Sequence, residues 1–340
     1  NRASRKPAFW AACCSVPVDN SALLSALVAG PKTGVELADM LGVSRAAVWK
    51  RIEHLRLQGL AIEAVEHQGY ALPHATALLN ADRILEAMPA SRRRQITGLH
   101  IDFETESTQR KALLHAAPEQ GIAVWLAECQ SAGQGRRGKR WQSPPLSNVY
   151  CSLNRRFACS IAALSGFSLA VAVMLADALQ AFSAEPISVK WPNDIWLDGR
   201  KCAGLLIQVR GEAGGPCEVT VGFGVNVLMS EQAGQGIDQP WTALARHSAH
   251  ALDRNLILAK LLDAMLAGFE RYEAQGLPGY IERWRALDGL NGQPVLVMTD
   301  ATRVEGVARG VDAEGALLVE CGHEIIACHS GDVSVRVAHG

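Results

Sequence analysis

Apolar residues recur at helical spacing over the first sixty or so positions, and strand-like runs take over after them. Residues 21–29 (SALLSALVA) read as a short helix that Gly30-Pro31 stops. Thr33-Gly34-Val35-Glu36 has capping-box spacing: the threonine hydroxyl accepts from the third helical amide while the glutamate reaches back. It opens a second helix that ends at Gly42. Ser44 caps a third, with Val48, Ile52 and Leu55 on one face. Extended runs at 61–65 and 70–72 flank His67-Gln68-Gly69 like the arms of a hairpin. Three helices and a two-stranded wing predict a winged helix-turn-helix over 21–73, behind a loose basic extension at 1–20.

Pro73 begins what reads as a linker, after which strand-like and helix-like segments alternate to about residue 290. Strands are expected at 122–129, 148–153, 187–191 and 219–227, and helices at 168–182 and 255–275. The pattern predicts an α+β or α/β domain of enzyme size over 74–290. From Gln293 onward, short apolar runs are broken every eight to twelve residues, which predicts a small all-β barrel over 291–340. Residues 157–176 carry no charge and are long enough to span a bilayer. Their serines, and Asp177 directly after them, fit a buried helix better, so no membrane partner is expected.

Composition narrows the function. With 49% hydrophobic and 20% charged residues, the chain is neither largely disordered nor collagen-like. A net charge of −1 excludes a polycation, so any nucleic-acid affinity must be local. Residues 1–60 hold eight Lys/Arg against four Asp/Glu, an excess gathered around the third helix as phosphate contacts require. Ser44, Arg45, Ala46, Trp49, Lys50 and Arg51 are the candidate DNA contacts, with Arg45, Ala46 and Trp49 facing outward. Protein docking is the other use of such a module. The nine cysteines are odd in number and lack CxxC spacing, and the N-terminus lacks a secretory pattern. Reduced thiols and a cytoplasmic location are the expectation.

Two stretches carry candidate chemistry. Residues 131–141 (SAGQGRRGKRW) contain a formal G-x-G-x-x-G after an expected strand, but Ser143-Pro144-Pro145 blocks a following helix, which argues against a dinucleotide site. What remains is a glycine loop with four cations, either a solvated or nucleic-acid-contacting loop or a lid over an anion. A carboxylate undergoing activation by ATP is such an anion, because negative charge gathers at the α-phosphorus during attack. Next, Lys190-Trp191-Pro192-Asn193-Asp194 leads into a hairpin turning at Asp198-Gly199, the signature of a type I′ turn. A two-residue loop pairs Trp196 with Lys201 and Asp194 with Ala203, which places Lys201 diagonally beside Asp194. Such a lysine either snorkels into water or aims at a bound carboxylate or phosphate. Ser107-Thr108-Gln109 start a short helix, as caps or as ligand contacts. Gly222–Asn226 (GFGVN) ends a strand with close backbone approach. Nothing indicates a covalent protein nucleophile.

The ordered set of Gly133–Trp141, Lys190–Asp194, Gly199–Gly204 and Gly222–Asn226 behind a winged helix resembles the family of bifunctional biotin protein ligases and biotin operon repressors. The resemblance runs over residues 21–336. It implies a central domain akin to class II aminoacyl-tRNA synthetases and lipoate ligases, and an SH3-like C-terminal domain. It also implies that biotin and Mg-ATP give biotinyl-5′-AMP, which a lysine of the biotin carboxyl carrier protein of acetyl-CoA carboxylase then attacks. Operator DNA of the biotin operon and a homodimer are the implied further partners. Carried over by motif, Ser107, Thr108, Gln109 and Gln130 lie at biotin, Gln134, Gly135 and Arg136 close over it, and Lys201 meets its carboxyl. Arg136 and Lys201 are the catalytic candidates. Gly133, Trp141, Asn193, Asp194, Asn226, Trp241 and Arg336 fall on the nucleotide side, with Asp194 toward Mg2+. Gln134 stands where many members have arginine, and Gln109 where asparagine is commoner. A lipoate-type ligase of the same fold and a non-catalytic sensor of a small acid are the competing readings.

Overall fold

Three helices lead the chain: α1 (Asn20–Val28), α2 (Gly34–Leu41) and α3 (Arg45–Leu57). They belong to a computed structural model that describes residues 20–72, 77–212, 214–298, 303–329 and 334–337. Of the extension expected at 1–20, only Asn20 is described, and it already belongs to α1; the rest, and the boundary at Pro73, lie outside the described residues. The capping box forms as the spacing requires: Thr33 Oγ1 accepts from the Glu36 amide at 3.2 Å, and a Glu36 carboxylate oxygen accepts from the Thr33 amide at 2.7 Å. The wing is β1 (Glu63–Val65) against β2 (Gly69–Ala71), antiparallel. Leu23, Leu27, Leu37, Val48, Ile52 and Leu55 make this unit's core, and Leu146 of the central domain is buried in the same cluster.

The central domain begins with α4 (Ala81–Glu86) and α5 (Ala90–Arg93). Then come β3 (Ile96–Thr105), α6 (Thr108–Leu113), β4 (Ile122–Gln130), β5 (Val149–Phe157) and α7 (Phe167–Leu179). Strands β6 (Ile187–Lys190), β7 (Asp194–Leu197), β8 (Arg200–Gly211) and β9 (Cys217–Val225) complete the sheet, before α8 (Glu231–Gly234), α9 (Arg254–Gln275) and α10 (Ile281–Leu287). The seven strands run in the order β3-β4-β5-β9-β8-β7-β6, and only β3 with β4 is parallel. Alternation along β5 divides the faces. Val149, Cys151 and Leu153 join the apolar core that includes α7 and α9. Tyr150, Ser152 and Asn154 bond Pro144, Thr108 and the end of α6 on the opposite face. That polar face is where the site lies.

The charge-free stretch at 157–176 is not one helix. It turns through Ile161–Leu164, breaks at Gly166 (φ 70°), and only then enters α7, which is buried almost all round. No described helix is long and apolar enough to cross a membrane. The last unit is a five-stranded antiparallel sheet of β10 (Pro294–Met298), β11 (Arg303–Val311), β12 (Leu317–Cys321), β13 (Glu324–Cys328) and β14 (Ser334–Val337). Val295, Val297, Ala308 and Leu317 extend the central core into it, and Trp191 Nε1 donates to the Gly315 carbonyl at 3.0 Å. A buried pair, Arg254 with Glu128 at 2.7 Å, ties down the chain entering from the winged helix. Arg254 also donates to the Ala77 carbonyl, and Glu128 accepts from the Leu79 amide.

Candidate active site

The glycine loop closes on itself instead of starting a helix. Gly135 N–H donates to the Lys139 carbonyl at 2.7 Å and Trp141 N–H to that of Gly133 at 2.9 Å, with one tight turn over Arg136–Gly138 between them. Arg137 (φ 56°) and Gly138 (φ 69°) are both left-handed there. Glycine at 133 is required by contact, since a Cβ would stand 2.7 Å from Ser143 Oγ. The Trp141 indole lies over Gly224 and Gly204; a Cβ on Gly224 would fall 2.4 Å from the ring. The loop roofs a cavity of about 1040 Å³.

The hairpin beneath differs from the expected register. Its turn has the predicted two residues, Asp198 and Gly199 both at positive φ, and Trp196 pairs with Lys201. However, Asp194 pairs with Gly204, not Ala203, because a bulge falls between Ile195 and Trp196. Ile195 and Ala203 thereby turn into the core, and Gly204 comes beneath Trp141 and Lys201. The bulge leaves the predicted neighbours together: Lys201 Nζ is 2.8 Å from Asp194 Oδ1, their side chains 16% and 14% exposed. Lys201 also stands over the Trp141 ring, 5.4 Å from its centre. Arg136 Nη1 donates to Asn193 Oδ1 at 3.2 Å, and Asn193 Nδ2 to the Leu205 carbonyl at 2.6 Å, linking lid to hairpin.

Further cations surround this pair. Lys190 lies over the Trp196 ring and lines the cavity. Burial pulls its ammonium below the usual lysine range; Asp194 opposes the shift, and Lys201, Lys139 and Arg336 add to it. Arg336 arrives from β14 of the C-terminal unit. Trp241 is bridged to Lys201 through the backbone and carries the Arg246 guanidinium over its ring at 4.5 Å. Asn226 is engaged by its own fold, donating to the Thr242 carbonyl at 3.1 Å.

The other end of the cavity is polar and neutral. Ser107 is the cap of α6, accepting from the Arg110 amide. Thr108 N–H donates to Gln130 Oε1 at 2.9 Å, Thr108 Oγ1 meets Ser152 Oγ at 2.9 Å, and Gln130 Nε2 donates to Ser143 Oγ at 3.0 Å. Gln109 Nε2 donates to Gln208 Oε1, while its own Oε1 is buried and without a partner. Of the residues expected at ligand, all but Gly133 line this one cavity; Gly133 acts through the loop backbone. Ser143, Ser152, Lys190 and Gln208 were not anticipated. The motif at 190–194 pointed to Lys190; the folded sheet brings Ser152 and Gln208 to the site, and the segment after Trp141 brings Ser143 to Gln130. Burial holds the Cys202 thiol up at about 12 and Cys151 higher, so neither is a ready nucleophile.

On the winged helix, Ser44 Oγ accepts from the Ala47 amide at 3.2 Å and serves as the cap of α3. Arg45, Ala46, Trp49 and Lys50 are exposed and Arg51 is half-buried. Trp49 presents 54% of its surface to solvent.

A winged helix joined to a sheet whose polar face holds a lysine–aspartate pair under a cation-rich lid is the layout of a DNA-binding module fused to an anion-handling enzyme domain. The model of the biotin/lipoate A/B protein ligase family matches residues 102–226, an HTH domain matches 22–71, and the biotin protein ligase C-terminal domain matches 291–336. The chain is 35% identical over 317 residues to the bifunctional ligase/repressor BirA of Salmonella typhimurium, covering 93% of this chain and 97% of the relative. It is 33% identical to the biotin–[acetyl-CoA-carboxylase] ligase of Paracoccus denitrificans over 65% of this chain and 95% of that one. The fold matches that of the Aquifex aeolicus biotin protein ligase solved with biotin and ATP (TM-score 0.62, 22% identity, 72% of this chain, 100% of that one). This chain belongs to the biotin protein ligase family, in its bifunctional ligase/repressor form.

Proposed function

We propose that this protein joins biotin to ATP and then transfers the biotinyl group to a lysine of the biotin carboxyl carrier protein of acetyl-CoA carboxylase. In the first step the biotin carboxylate attacks the α-phosphorus and pyrophosphate leaves. In the second, the carrier amine attacks the carbonyl of the mixed anhydride and AMP leaves. The observation that carries the reading is Lys201 against Asp194 in a cavity lined both by neutral polar side chains and by a cluster of cations. The neutral end, with Ser107, Thr108, Gln109 and Gln130, takes the ureido head. Gln134, Gly135 and Arg136 close over the adenylate. Lys201 and Arg136 face the phosphate, where charge develops. Trp141, Asn193, Asn226, Trp241 and Arg336 take the nucleotide side. Mg2+ arrives as Mg-ATP, a substrate, with Asp194 toward it. The orphaned Gln109 carbonyl favours biotin over lipoate, because a ureido ring offers an N–H and a dithiolane does not.

The winged helix supports the second half of the reading: in the cytoplasm, the adenylate-bound protein dimerises on the biotin operator and represses it. Ser44 shapes the start of α3, and Arg45, Ala46, Trp49, Lys50 and Arg51 meet the DNA. We divide the chain accordingly into an extension (1–20), a DNA-binding unit (21–73), a ligase domain (74–290) and a C-terminal domain (291–340). The test is carrier modification in the presence of ATP, with biotin and lipoate supplied separately. Labelling of the carrier lysine by biotin alone supports the proposal. Labelling by lipoate, or by neither, overturns it.

A further inference from the structure

Gln109 has one end committed and one end open. Its Nε2 donates to Gln208 Oε1 at 2.8 Å, reaching from α6 to β8. Its Oε1 is buried and meets no donor, although the residue lines the cavity and is only 4% exposed. Gly222 makes room for that oxygen, since a Cβ there would stand 2.3 Å from it. The same two strands set both features: Gln208 pairs with Thr220, and Leu206 with Gly222.

A primary amide keeps its shape but not its chemistry when turned by half a revolution. In one orientation the cavity meets a carbonyl that accepts, and in the other an NH2 that donates. Packing alone does not choose between them. Gln208 couples the choice to its own orientation: with its oxygen toward α6, as here, it bonds the NH2 end and leaves the carbonyl end to the cavity. We propose that Gln208 is a positioning residue for ligand recognition: it holds the Gln109 amide so that its carbonyl accepts a ring N–H from the ureido head of biotin. The inference rests on the placement of that head at Gln109.

Gln208 is outside the reacting region, so its effect belongs in biotin affinity and KM, not in kcat. The experiment measures calorimetric Kd and pyrophosphate-exchange kinetics on the intact protein. The probes are biotin and a biotin methylated on its ureido nitrogens. Q109A is expected to weaken biotin binding about tenfold to a hundredfold, the cost of leaving a buried polar group unmatched. Q208L, which lets the amide turn, is expected to lose about five- to twentyfold in Kd and KM with kcat kept. Q208K, which can only donate, turns the carbonyl away and falls as far as Q109A. Q208E, which can only accept, restores binding. In Q208L and Q208K the penalty for ureido methylation shrinks, a change that mere loss of packing does not produce. If Q109A weakens biotin while Q208L and Q208K bind it as tightly as the wild type, the positioning role is wrong. Unchanged affinity in Q109A itself defeats instead the placement of the head group.

Discussion

Replacing Lys201 by alanine isolates the contact on which the chemistry depends. In the resting protein its ammonium is held 2.8 Å from Asp194 Oδ1 with 16% of the side chain exposed, so it enters the reaction already oriented and largely desolvated. At about 3–4 Å from a developing phosphate charge, with an effective dielectric constant of about 20, one such charge supplies roughly 4–6 kcal/mol. Measured losses for single preorganised donors are about 3–4 kcal/mol, or 10²–10³ in rate. K201A is therefore expected to slow single-turnover formation of biotinyl-AMP by about two to three orders of magnitude. It also strips Asp194 of its partner, at a cost of about 1–3 kcal/mol in stability. The double variant K201M/D194N separates the effects, since it removes the stranded carboxylate without restoring the ammonium. Stability should recover in the double variant while adenylation stays slow. Wild-type adenylation by folded K201A would refute the reasoning.

Arg136→Gly removes the guanidinium that ties the lid to Asn193 and is expected to speed adenylate release more than it slows adenylate formation; trapping released adenylate with free lysine, with dissociation no faster than wild type as the contrary result, checks this. Asp288 has a buried Oδ2 without a partner, and burial pushes its carboxyl from 3.8 to about 6. The protonated form is thus favoured by folding, and its contribution to stability is full below about pH 4 and lost as pH rises through about 6. D288N should raise the unfolding free energy by up to about 3 kcal/mol at pH 8 and change it little at pH 4, the reverse trend in a thermal-melt series being the contrary result. Removing residues 1–73 is expected to abolish operator binding in a gel shift yet leave carrier biotinylation intact, because every lining residue of the cavity follows residue 100. Binding by the intact protein should weaken steeply with salt as α3 cations release counterions.

Local chemistry was legible, and long-range chemistry was not. The capping box at Thr33 and the Asp198-Gly199 turn depend on a few adjacent residues, and both formed as the spacing required. The bulge beside Trp196 was hidden because residues 202–207 (CAGLLI) read as equally apolar in either register. Strand β3 went unread because ITGLHIDFET mixes polar and apolar positions, and none of its residues is fully buried: seven are half-buried and three exposed. The lysine–aspartate pair was readable because a two-residue turn brings the residues together. Ser152 and Gln208 were not, since they meet Thr108 and Gln109 from 44 and 99 positions away.

The central claim is that one cavity joins a biotin carboxylate to the α-phosphorus of ATP. Its most direct test is ATP–pyrophosphate exchange by the intact protein in Mg2+, without carrier, with and without biotin. Reversal of adenylation then incorporates labelled pyrophosphate into ATP. The account predicts exchange that requires biotin, saturates with it, is unsupported by lipoate and is lost in K201A. Exchange that ignores biotin, or none at all from protein that binds both substrates, would contradict it.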